Sequence, residues 1–72
     1  NDTWIIENIN MFPKHIVHVF NRWGQELYRG TMGSEPWDGT YKGRLLPTGS
    51  YIYVISLGTN SEDKTGTVTI IY

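Results

Sequence analysis

The sequence predicts an all-β fold, a small β-sandwich of about six to seven short antiparallel strands. Three observations predict it. Val, Ile and Thr together number twenty of 72 residues and Tyr adds five, and these side chains fit a pleated, half-buried surface. Alanine is absent and leucine occurs four times, so the best helix formers are scarce. Eight glycines and three prolines punctuate the chain every few residues, which suits turns between short strands.

The elements follow in order. Residues 3–7 (TWIIE) are a short first strand candidate. Residues 8–14 are looser, and Pro13 interrupts pairing there. Residues 15–21 (HIVHVFN) set Val17 and Val19 against Ile16, His18 and Phe20. Both faces are apolar, so this strand is expected to be central. Residues 25–29 (QELYR) come after Arg22-Trp23-Gly24. Two extended runs separated by three residues ending in glycine read as a β-hairpin. Residues 30–36 read as a loop. Asp38-Gly39 is a turn dipeptide, because Asp tolerates positive φ and Gly adopts it freely. Lys42-Gly43-Arg44 is a second turn and Pro47-Thr48-Gly49 a third, leading into residues 50–57 (SYIYVISL), the longest and most apolar strand. Residues 58–64 are polar. Residues 65–72 (TGTVTIIY) are the last strand, with Val68, Ile70 and Tyr72 on one side and Thr67, Thr69 and Ile71 on the other. Strands at this spacing suggest a sandwich of the immunoglobulin-like type.

Length and charge exclude several function classes. Seven acids against six bases give a net charge of −1, which leaves no basic footprint for nucleic acid. No apolar run is long enough for a membrane-spanning helix. The polar first residues do not form a secretory signal. With no cysteine, there is no disulfide framework and no thiolate metal site. Residues 1–72 are expected to form one small domain, burying about 60% of the unfolded chain's surface.

Catalytic chemistry is not apparent. His15 and His18 stand three apart on a strand, on opposite faces, and cannot share a metal or a proton. Ser34, Ser50, Ser56 and Ser61 lie in no nucleophile elbow. Glu62-Asp63 reads as a solvated turn beside Lys64. Phosphate loops and calcium-loop spacings are missing. Asn1-Asp2-Thr3 fits a glycosylation sequon. The expectation is a domain with no enzymatic activity, no cofactor and no metal.

Three stretches are more specific. Asn21-Arg22-Trp23-Gly24-Gln25 places a tryptophan in a tight turn, where it either folds over a sheet edge or fills a partner's pocket. Trp37-Asp38-Gly39-Thr40 joins a large aromatic to an Asp-Gly turn, with Pro36 restricting the approach. Leu46-Pro47-Thr48-Gly49 precedes Ser50-Tyr51-Ile52-Tyr53, where tyrosines alternate along the strand. Turn chemistry and core packing would account for each stretch taken singly.

Taken together and in this order, N-D-T, F-N-R-W-G-Q, W-D-G-T, L-P-T-G-S-Y-I-Y and the closing V-T-I-I resemble one family over essentially the whole chain. This is the gliding-motility-associated C-terminal domain, the type B sorting domain of the bacterial type IX secretion system. The resemblance implies an immunoglobulin-type sandwich at the C-terminus of large adhesins and other exported proteins. It further implies recognition by the outer-membrane translocon and a PorP/SprF-like outer-membrane protein. Cargo attached in cis would pass through the periplasm to the cell surface or beyond. The family's motifs fall here on Asn21, Arg22, Trp23 and Gly24, on Trp37, Asp38 and Gly39, and on Pro47, Gly49 and Tyr51. Two departures stand out. The usual proline-asparagine-glycine-aspartate lead-in is absent before Asn1, so the domain is read as lacking it, and Thr65 separates Lys64 from Gly66.

A closing strand with Val68, Ile70 and Tyr72 at a sheet edge would offer backbone groups to a partner strand. Together with the turn aromatics it is the expected recognition surface. Two other readings compete. Exposed Trp23, Trp37 and Tyr53 would suit stacking on sugar rings in a carbohydrate-binding module. An immunoglobulin-like repeat could equally be an adhesin spacer.

Overall fold

The computed structural model describes residues 3–58 and 63–71, and its strands follow the alternation of the sequence. In β1 (Ile16–Phe20) Val17 and Val19 are buried, while Ile16, His18 and Phe20 are half-exposed on the opposite face. β1 is central as expected. It pairs antiparallel with β2 (Glu26–Thr31) on one side and β5 (Gly49–Ser56) on the other, and β6 (Lys64–Ile70) completes the order β2-β1-β5-β6. Two-residue strands β3 (Thr40–Tyr41) and β4 (Arg44–Leu45) form a separate antiparallel pair. The fold is a small all-β sandwich with six short strands among the described residues, in which this hairpin supplies the strands of the second layer.

Both hairpin turns obey local chemistry. Asn21 to Gln25 closes the β1–β2 hairpin as expected. Lys42 and Gly43, both at positive φ (53° and 80°), form the tight connection between β3 and β4, the twist that two-residue hairpins favour. Between Val19 and Phe20 the β1–β2 register shifts: Val19 faces Tyr28 and Phe20 faces Glu26. The bulge turns both Leu27 and Tyr28 toward the interior.

The core lies between the four-stranded sheet and its cover. Val19, Leu27, Trp37, Tyr51 and Ile70 are buried together, with Trp4, Tyr28, Tyr41, Leu46 and Val68 packed against them. Trp37 is the hub. Its ring meets Trp4 at 6.5 Å and Tyr51 at 6.0 Å, both edge-on, and Tyr28 at 6.4 Å, separations at which aromatic pairs add to simple burial. On the edge strands β2 and β6, the rings of Tyr28 and Tyr53 lie over Gly30 and Gly66, so each aromatic covers a strand position that has no side chain.

Several boundaries differ from expectation. Residues 3–7 are not a strand. Trp4 N–H donates to Trp37 O at 2.7 Å, but no ladder follows, and Ile5 is exposed. Residues 9–11 instead turn as a short 3-10 helix (Ile9–Met11) entered through Asn8 at φ 65°. β2 runs two residues beyond Arg29, because Gly30 and Thr31 still pair with Val17 and Ile16. β5 begins one residue early, at Gly49, which pairs with Ile70. The last strand stops at Ile70. Tyr72, Asn1, Ser61 and Glu62 lie outside the described residues.

Candidate functional site

The three motif stretches meet different fates. The Asn21–Gln25 turn is built around one side chain. Asn21 Oδ1 accepts from Trp23 N–H (3.0 Å) and Gln25 N–H (2.9 Å), and Asn21 Nδ2 donates to Gln25 Oε1 (3.0 Å). Asn21 N–H donates to Gln25 O and Gly24 N–H to Asn21 O, each at 3.0 Å. Gly24 takes φ 84°, the left-handed backbone that costs a side-chain-bearing residue about 1–2 kcal/mol. Five hydrogen bonds thus hold a turn whose largest side chain, Trp23, is 76% exposed. The Arg22 guanidinium stacks 4.4 Å from its ring centre.

Trp37–Thr40 is the opposite case. Trp37 is 4% exposed, and its indole N–H donates to Thr40 O at 3.1 Å. Asp38 Oδ1 accepts from Thr40 N–H (3.1 Å) and from the Thr40 hydroxyl (2.6 Å). The Thr40 hydroxyl contact, before the others, holds the Asp38 carboxyl below the usual carboxylate range. Gly39, buried at φ 83°, accepts from Leu46 N–H at 3.0 Å, and a methyl here would reach Ile70 Cδ1 at 3.6 Å. Trp37 was expected among the displayed aromatics. It is instead interior, because residues 3–7 and the β3–β4 hairpin cover it.

The third stretch is likewise inward. Tyr51 is buried and its hydroxyl donates to Pro47 O, four residues upstream, at 2.6 Å, the geometry by which a tyrosine corner fixes the entry to a strand. Gly49 opens that strand opposite Ile70. Val68 is half-buried and Ile70 buried on the core face of β6. Trp37, Gly39, Tyr51, Val68 and Ile70 therefore converge on one core, away from the Asn21–Gly24 surface.

Other features escaped the sequence reading. Gln25 Nε2 donates to the Tyr41 hydroxyl at 3.4 Å, tethering the β1–β2 turn to the β3–β4 turn. Lys42 lies 5.4 Å from the Tyr41 ring centre. No periodicity links those positions, since the bond joins two separate hairpins. A cleft of about 340 Å³ opens beside Trp4, Ile9, His15, Tyr28 and Met32. Buried His15 donates from Nδ1 to Phe12 O at 2.6 Å. His18 lies on the other sheet face, as the spacing predicted, stacked 5.8 Å from Phe20 and 2.9 Å from Glu26 Oε2. Among the described residues no three His, Asp or Glu side chains gather as a metal site, and no helix is long and apolar enough to cross a membrane. Burial, and secondarily the Glu35 charge, raises the Tyr28 phenol above 10.0. Its hydroxyl donates to Glu35 O at 2.7 Å.

One comparison decides the family. The model of the CHU_C type IX secretion signal domain matches residues 1–70. The chain belongs to this family. No curated protein and no solved structure matches it. The secretion signal domain serves export through the type IX machinery, to the cell surface or outside, and its family is not an enzymatic one. The aromatic trio of the carbohydrate-binding reading does not form a platform. Trp37 is interior, and Tyr53 packs against Trp4 at 5.3 Å, which leaves Trp23 alone in solvent.

Proposed function

We propose that residues 1–72 act as a single C-terminal sorting signal, read at the outer membrane, that carries cargo attached in cis from the periplasm to the cell surface. The family match over nearly the whole chain supports this reading. A PorP/SprF-like outer-membrane protein is the proposed partner of the translocon. The domain acts by being recognised, so a rigid fold with displayed surface groups suffices.

The free edge of β6 is a natural docking strand. The run from Thr65 to Ile70 carries no charge and no proline, whereas the other edge, β2, exposes Glu26 and Arg29. Charged residues are the usual guard against strand addition, and β6 lacks them within that run. Addition of a partner strand there is the proposed capture mode.

The test is an export assay. The domain is fused behind a folded fluorescent reporter with an ordinary signal peptide, in a type IX-competent host and in a translocon-deficient one. Surface reporter in the competent host alone is the expected outcome, with dependence on the PorP/SprF-like protein. Reporter held in the periplasm of both hosts would sink the reading.

A further inference from the structure

The β1–β2 turn has a feature that folding does not require. A tryptophan left largely in water loses the burial that makes it worth having, yet five hydrogen bonds hold the turn that displays Trp23. Arg22 covers one face of the ring and leaves the rest open. The Gln25–Tyr41 bond brings the second turn alongside, and with it come Lys42 and exposed Arg44 and Leu45. Three of the six basic residues of the chain stand on these two turns. Among the described residues none of the three forms an ion pair, since the ion pair present joins His18 to Glu26. A net-negative domain thus gathers Arg22, Lys42 and Arg44 on two neighbouring hairpins around an exposed aromatic, with Glu26, paired to His18, as the acid adjoining the β1–β2 turn.

We propose that this pair of turns is a docking surface. Trp23 would enter an apolar slot on a protein partner, and Arg22, Lys42 and Arg44 would face carboxylates on its rim. The inference rests on the sorting-signal reading and adds to the β6 edge a second place at which that signal is read. Tryptophan and arginine are the residues most often found to dominate a protein interface, usually at its centre in a desolvated pocket. Opposite charges at the rim raise the encounter rate and orient the partners. A protein slot fits better than a lipid surface, because the hydrogen-bonded turn fixes the backbone from which the indole projects, and a fixed point of display matters most to a shaped receptor.

The export assay, run on variants of the reporter fusion, tests this. Trp23→Ala should lower surface reporter roughly tenfold or more, the loss typical of an interface hot spot. Trp23→Phe should lose less. Arg22→Glu, and Lys42→Glu with Arg44→Glu, should each reduce export, and thermal unfolding of the purified domain should be unchanged in all of them. If the unaltered fusion is not exported in the competent host, the sorting-signal reading itself falls. If it is exported and the Trp23 and charge-reversal variants match it, the docking proposal falls while the sorting reading stands. If Trp23→Ala unfolds the domain, the charge-reversal variants decide. Protein-free vesicles containing phosphatidylglycerol provide the last arm. Binding to them that Trp23→Ala abolishes would overturn the proposal in favour of a lipid surface.

Discussion

At the scale of single residues, two tryptophans in similar Gly-containing turns play opposite parts. Trp37 contacts Trp4, Tyr28 and Tyr51 from a buried position. Truncating it leaves a cavity, and Trp37→Ala should cost about 3–5 kcal/mol, a large share of the stability of so small a domain. Urea denaturation of the variant checks this. Trp23→Ala should stay within about 0.5 kcal/mol of the parent, because the lost side chain packs on little besides Arg22. Tyr28 sets an alkaline limit. Its raised pKa means that the folded state favours the neutral phenol, so its contribution is fully present below 10.0 and is lost as pH rises through the higher folded value. Tyr28→Phe should flatten that alkaline limb in a pH series of melting temperatures. Asp38 works in the other direction: its stabilising contribution is present above the unfolded value of 3.8 and disappears as pH falls through the lower folded value. Sequence alone does not separate the two tryptophans, because burial depends on which distant segment covers a residue.

At the scale of elements, period-two alternation made β1, β5 and β6 legible. The apolar and threonine positions of β6 face as the sequence predicted, with Val68 and Ile70 inward and Thr67 and Thr69 exposed. The β1–β2 turn was legible through Gly24. Residues 3–7 were not, since β-forming side chains report a preference and not the presence of a partner edge. Their backbone finds Trp37 O and no further ladder. β3 and β4 are two residues each, too short to carry a period, so only the turn between them was foreseen. The Trp37–Thr40 turn is the clip that fastens this cover to the sheet. Gly39→Ala should cost about 1–2 kcal/mol, from backbone at φ 83° and not from crowding, measurable by thermal denaturation. Thr67→Lys on β6 should leave stability within about 0.5 kcal/mol. It should reduce surface reporter if strand addition captures the domain.

At the scale of the whole molecule, the motif stretches separate into a scaffold and a display. Two of them, through Trp37 and Tyr51, build the interior, and the one around Asn21 builds an outward tip. The family resemblance carried over the fold as a whole, but could not sort those roles, because shaping a core and meeting a partner both restrict sequence. The core also joins distant parts of the chain. Trp4 and Ile70 belong to the same packed group, and β1 pairs with β5 more than thirty residues later. The core group that holds Ile70 cannot close until β6 has joined β5, and non-local pairings of this kind are slow to nucleate. A chain cut short before Ile70 therefore presents no finished core, and the folded state serves as a receipt that β6 has been made.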